Sequence, residues 1–180
     1  METSEKKIIL IGMTGVGKTT IGKNLSKEIK MNFCDIDFEI EKATNLKIKD
    51  FFKMYGENEF RRIEKITLLK FINSKENYVI SPGAGILNDK DNKKIICNNC
   101  ISIFLDIKIS ILISRLKKNL SNRPKLSQGK LEENLKQMYN KRINDYRACQ
   151  ITINVNETSV TNIVSQIILK IKNYDQNSQL

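Results

Sequence analysis

A chain of 180 residues with 40% hydrophobic and 28% charged residues has the length and composition of one globular domain able to bury a proper core. No apolar run approaches a membrane span, and the start Met1-Glu2-Thr3-Ser4-Glu5-Lys6-Lys7 has no apolar signal core, so a cytoplasmic protein with no membrane partner is expected. The net charge is +11, but its lysines are scattered, as in Lys23, Lys27, Lys42 and Lys49, and no Trp or RNA-binding aromatic signature accompanies them. No nucleic-acid partner is expected. Histidine is absent, which leaves carboxylates, Lys, Tyr or Cys as general bases and removes His-based triads and metal sites. Cys97-Asn98-Asn99-Cys100 has CxxC spacing, yet neither a second pair nor a His completes a zinc set, so reduced thiols are expected.

Lys7-Ile8-Ile9-Leu10-Ile11 is an apolar run suited to a buried parallel strand. It leads into Gly12-Met13-Thr14-Gly15-Val16-Gly17-Lys18-Thr19, which matches the phosphate-loop pattern G-x-x-x-x-G-K-[ST] at every fixed position. A helix is expected over Thr19 to Ile29. The glycines let the backbone of Gly15, Val16, Gly17, Lys18, Thr19 and Thr20 turn its N–H groups toward phosphate oxygens at a helix N-terminus. In this pattern Lys18 reaches the terminal phosphates and the Thr19 hydroxyl sits on Mg²⁺. Strand, loop, helix and Lys-Thr pair together predict a nucleoside triphosphate site rather than a chance glycine-rich turn.

A second parallel strand is expected over Met31 to Ile36. Asp35 and Asp37, two apart in extended backbone, then project to one side at the carboxyl end of the strand, where open α/β sheets place ligands. One suits the water shell of Mg²⁺ and the other a substrate hydroxyl; the plainer alternative is an acidic turn capping a helix from Phe38 onward. Glu39 to Leu46 and Ile48 to Tyr55 read as short helices, Gly56 as a turn, and Glu57 as the start of a longer helix. Arg61 and Arg62 cannot face the same way, so one can clamp a carboxylate in the cleft while the other pairs with a nearby Glu on the surface.

Asn77 to Ser81 is a third strand, ending in Pro82-Gly83-Ala84-Gly85, whose small residues permit either close approach of a ligand or a simple tight turn. A polar helix (Asn88 to Cys97), a fourth strand (Cys100 to Leu105) and an amphipathic helix (Ile107 to Lys118) follow. The basic segment 119–130, bounded by Pro124 and Gly129, reads as a mobile lid carrying Arg123 to the phosphates, or else as a solvated loop. A helix over Leu131 to Tyr146 bears Arg142; a fifth strand (Gln150 to Asn154), a helix (Thr158 to Ile171) and a frayed tail from Tyr174 complete the chain. The fold expected is α/β, a five-stranded parallel sheet with helices on both faces and a lid, built as a single domain over residues 1–180.

These landmarks resemble the shikimate kinases, small nucleoside-monophosphate-kinase-like members of the P-loop families, over about Lys7 to Ile171. The resemblance rests on an ordered set: the phosphate loop, Asp35-Ile36-Asp37, Gly56-Glu57-x-x-Phe60-Arg61-x-x-Glu64, Ser81-Pro82-Gly83-Ala84-Gly85, Arg123-Pro124 and Arg142-x-x-x-Tyr146. It implies transfer of the γ-phosphoryl of ATP to the 3-hydroxyl of shikimate, with Mg²⁺ as cofactor and a monomer as the working form. By that likeness Asp37 holds the acceptor hydroxyl as its base and Asp35 supports the Mg²⁺ shell beside Thr19. Arg61 and Arg142 bind the acceptor carboxylate, Gly83, Ala84 and Gly85 line its pocket (acceptor-binding helices about 38–73), and Arg123 comes from the lid (about 119–130) onto the phosphates.

The chain departs from the family pattern in three places. Ala84 stands where the family has a glycine, and a positive φ there would cost about 1 kcal/mol. The lid reads Arg-Pro-Lys-Leu where Arg-Pro-Leu-Leu is usual, and Glu157-Thr158-Ser159 offers no basic residue near the adenine. Ala84 keeps open a sibling kinase for another hydroxy acid such as gluconate. A non-catalytic nucleotide-binding module would predict losses at Lys18, Asp37 or Arg123, and all three are present.

Overall fold

A computed structural model describes residues 6–120, 128–156 and 159–177. At its centre is β1 (Lys7–Ile11), buried along its whole length because Ile8 to Ile11 meet apolar layers on both faces. The chain passes through residues 12–17 into α1 (Lys18–Glu28) and returns as β2 (Asn32–Asp35). With β3 (Tyr78–Ser81), β4 (Ile101–Asp106) and β5 (Ile151–Asn154), these strands form a sheet of order β2-β3-β1-β4-β5. Every neighbouring pair is parallel. The edge strand β5 alternates, with Ile151 and Ile153 inward and Thr152 and Asn154 outward.

Helices close both faces. α1 lies on β2 and β3 and packs against α7 (Val160–Asn177), whereas α4 (Lys90–Asn99) lies on β4. α5 (Ile109–Leu120) packs against α6 (Gln128–Arg147), which also touches the 3-10 turn Ile86–Asn88 after β3. Between β3 and β4 the chain changes from one side of β1 to the other. Open α/β sheets bind ligands at such a switch, outside the carboxyl ends of the strands.

Element ends shift by a few residues from the sequence expectations, and two of the shifts have a visible cause. β2 stops at Asp35, and Ile36 already belongs to α2 (Ile36–Thr44), because the Asp35 carboxylate accepts from the Phe38 N–H at 3.2 Å and caps that helix. Asp35 and Asp37 are therefore a cap and a first-turn residue, not alternate residues of one strand. The break expected at Gly56 is present: α3 (Ile48–Ile72) is two helical stretches meeting at a kink where Gly56 takes φ 77° and ψ 177°. The tail expected to fray from Tyr174 is helical as far as Asn177, where Asp175 forms an ion pair with Lys6 just before β1. Of the expected lid, residues 121–127 with Arg123 lie outside the described residues, as do Glu157 and Thr158. Among the described residues no helix is long and apolar enough to cross a membrane.

Candidate active site

The phosphate loop is shaped by opposed demands on neighbouring residues. Met13 and Val16 drop their side chains into the core, leaving 1% and 2% exposed, while Gly15 and Gly17 take φ of 77° and 105°. Val16 can therefore meet a ligand only through its backbone. Gly17 precedes α1 with no side-chain cap, so the first N–H groups of the helix remain free for an anion. Lys18 folds back over the loop and donates to the carbonyls of Gly12 and Met13 at 3.0 and 3.1 Å. Burial lowers its ammonium to about 8, against the pull of Asp37 and Asp35.

Beside the loop, the Thr19 hydroxyl donates to the second Asp35 oxygen at 2.7 Å, while the first oxygen caps α2. The cap and the contact with the loop thus occupy the two oxygens of one carboxylate, and the capping alternative for Asp35 is met. Thr19, Asp35 and Asp37 border one cavity of about 310 Å³ together with Lys18, Gly83 and Ala84. A hydroxyl and a carboxylate are hard oxygen donors of the kind Mg²⁺ takes. Among the described residues no group of three or more His, Cys, Asp and Glu side chains makes a cage.

Asp37 is half-buried, and burial followed by the nearby Asp35 charge raises its carboxyl above the ordinary range, opposed by Lys18 and Arg61. A Cβ built on Gly83 would stand 3.1 Å from an Asp37 oxygen and 3.2 Å from Glu64 Oε1. Space is thus what the glycine supplies. A Cβ on Gly85 would lie 2.8 Å from the Arg61 guanidinium, again a matter of room, since Gly85 sits at φ −95°. Positive φ at non-glycine residues occurs only at Lys30 and Asn45 among the described residues. Ala84 is therefore unstrained, and the penalty considered for it does not arise.

The two arginines separate as expected. Arg62 points outward to Glu59, whereas Arg61 turns into the cleft, over the Phe60 ring at 5.3 Å, and pairs with Glu64 at 2.6 Å and Glu57 at 3.2 Å. Glu64 is fully buried, and its Oε1 has no partner among the described residues. Burial outweighs the Arg61 pairing and raises the Glu64 carboxyl. Arg142, half-buried on α6, faces Tyr146, and its charge reaches Lys18. Sequence reasoning assigned no role to Glu64 or Tyr146; the signal for Glu64 was its spacing of three from Arg61 on one helix. Of the expected site residues, all but Arg123 are described, and they gather where β1, β2 and β3 end.

A parallel sheet of this order, with a Lys-Thr phosphate loop after the central strand and the carboxylates of Asp35 and Asp37 at the start of α2 facing it, defines a P-loop phosphotransferase of the nucleoside-monophosphate-kinase-like class. Residues 14–172 match the family model for shikimate kinase. A shikimate kinase from Sulfurihydrogenibium sp. is 37% identical over 93% of this chain and 98% of that protein. Shikimate kinase from Acinetobacter baumannii, solved in complex with shikimate, superposes with a TM-score of 0.85 at 27% identity, covering 95% of each chain. The enzyme from Bacteroides thetaiotaomicron gives 0.84 at 26% identity over 93% of this chain and 98% of that one. The chain belongs to the shikimate kinase family.

Proposed function

We propose that this protein transfers the γ-phosphoryl group of ATP to the 3-hydroxyl of shikimate, releasing ADP and shikimate 3-phosphate. The observation that carries the reading is the convergence of Asp37, Arg61 and the Gly83–Gly85 loop on the open side of the phosphate loop. An acceptor that is both an alcohol and a carboxylate needs one base and at least one cationic clamp, and the placement of Asp37 and Arg61 supports giving them those two roles. Ala84 has ordinary backbone geometry, so the feature that left room for a gluconate-type sibling has lost its force.

In this reading the phosphate-loop N–H groups and Lys18 bind the β- and γ-phosphates, and Arg123 adds a charge from the segment 121–127, on the strength of the resemblance alone. Asp37 accepts the proton of the acceptor hydroxyl as its oxygen bonds to the γ-phosphorus and the bridging oxygen leaves with ADP. A base with a raised carboxyl is better suited to that proton than an ordinary aspartate. Arg61 and Arg142 hold the acceptor carboxylate, fixing the hydroxyl in line with the phosphorus. Thr19 and Asp35 would hold Mg²⁺, which neutralises phosphate charge when bound.

We take a single domain working as a monomer as the form the resemblance implies, and the four free thiols suit a reducing cytoplasm. The test is ADP release from Mg²⁺-ATP with shikimate, gluconate or nucleoside monophosphates offered separately, with Asp37→Asn as control. Turnover with shikimate alone that collapses in the control supports the reading. ATP binding without stimulation by shikimate would overturn the acceptor and leave the phosphotransferase fold standing.

A further inference from the structure

Tyr146 is one of the largest side chains fully buried in the molecule, at 1% exposure, yet its hydroxyl is not spent on the core. It donates to the carbonyl of Ala84, 62 residues away, at 2.6 Å. The carbonyls on either side are tied locally: Gly83 O accepts from Ile86 N at 3.2 Å and Gly85 O from Asn88 N at 2.9 Å. The middle one is held only by the tyrosine among the described residues. The hydroxyl also accepts a hydrogen bond from Arg142, and the ring below it is packed separately. The Tyr146 ring packs on Phe104 of β4 with centroids 5.4 Å apart, and the adjacent Asp145 is paired to Lys93 of α4 at 2.6 Å. Burial pushes the phenol up to about 12, so it keeps its proton as donor throughout the neutral range.

A trans peptide places its C=O and N–H on opposite sides, and no cis bond occurs among the described residues. Drawing the Ala84 carbonyl toward α6 therefore turns the Gly85 N–H away from α6. No hydrogen bond among the described residues uses that N–H. We propose that Tyr146 is a positioning residue for phosphoryl transfer, setting the tilt of the Ala84–Gly85 peptide and so presenting the Gly85 N–H to the acceptor. This rests on the reading that residues 83–85 line the acceptor pocket. It also gives Ala84 a reason to be tolerated. The residue contributes its carbonyl to the tyrosine, and a methyl group at ordinary φ does not interfere.

The experiment compares Tyr146→Phe, which keeps the ring, with Phe104→Leu, which loosens the ring but keeps the hydroxyl. Loss of one hydrogen bond at a preorganised donor should raise the KM for shikimate about tenfold in Tyr146→Phe. The KM for ATP should stay within about twofold, since the nucleotide loop is untouched. Amide exchange across residues 83–86 of the free protein should quicken in Tyr146→Phe and not in Phe104→Leu, which should instead lower Tm with little change in either KM. Exchange in the free protein needs no acceptor, so it tests the tether even where the wild-type enzyme proves silent with shikimate. Unchanged exchange in Tyr146→Phe, an unchanged acceptor KM, or equal rises in both KM values would each overturn the proposal.

Discussion

The Thr19 hydroxyl and the Asp35 carboxylate are 2.7 Å apart and join the phosphate loop to the first turn of α2. Because Asp35 also caps α2, its two duties separate by substitution. Asn caps a helix nearly as well as Asp, so Asp35→Asn should change unfolding free energy by no more than about 0.5 kcal/mol. The concentration of Mg²⁺ needed for half-maximal turnover should rise about tenfold or more, as a charged oxygen ligand is lost. Asp35→Ala should show both effects, with a stability loss of about 1 kcal/mol in urea.

Asp37 should define the acid limb of the rate profile. Its folded carboxyl is raised, chiefly by burial and next by Asp35, so kcat/KM should fall as pH drops through a value above the ordinary aspartate range. Removing the Asp35 charge should move that limb to lower pH. The linkage sign is also fixed. A carboxyl raised on folding favours the fold when protonated, and this contribution is lost as pH rises through the folded value. Asp37→Asn should therefore raise Tm at neutral pH while cutting kcat by about 10² to 10⁴.

Lys18 should make nucleotide binding consume a proton in alkaline solution. Its ammonium is lowered to about 8 in the free protein, and bound phosphates favour the charged form. From pH 8 upward the Kd for ATP should rise by up to about tenfold per pH unit, with little change below. Calorimetry at pH 8.5 in two buffers of different ionisation enthalpy should give proton uptake on binding, and Lys18→Met should abolish it.

Gly85→Ala tests whether room, not backbone freedom, is what residue 85 supplies. Its φ of −95° accepts an alanine, but the new methyl lies 2.8 Å from Arg61 Nη2. The guanidinium must shift and loosen its pair with the buried Glu64, so stability should fall by about 1 to 3 kcal/mol. The KM for shikimate should rise about tenfold while the KM for ATP stays level, reflecting a displaced clamp.

Much of this was legible along the chain because it is local. The phosphate loop announces itself through spacing, and Ile8 to Ile11 mark a strand covered on both faces. The start of α2 was misplaced because the β-branched Ile36 looked like a strand residue, whereas the Asp35 cap wins by satisfying the Phe38 N–H. The geometry of Gly83 and Gly85 could not be read, since the demand on each comes from side chains on α2 and α3, not from its own turn. The Tyr146 bond to Ala84 and the Lys6 pair with Asp175 likewise join distant positions that no periodicity connects.

The strand order bears on how such a chain can be inherited. In the proposed scheme the grip on the donor grows out of β1 and α1, whereas the residues given to the acceptor come from α2, the end of β3, α3 and α6. Thr19 with Asp35 is the narrow seam between the two holdings. A lineage could exchange one alcohol for another by altering loops on the far side of that seam, never passing through an ancestor that had forfeited its triphosphate.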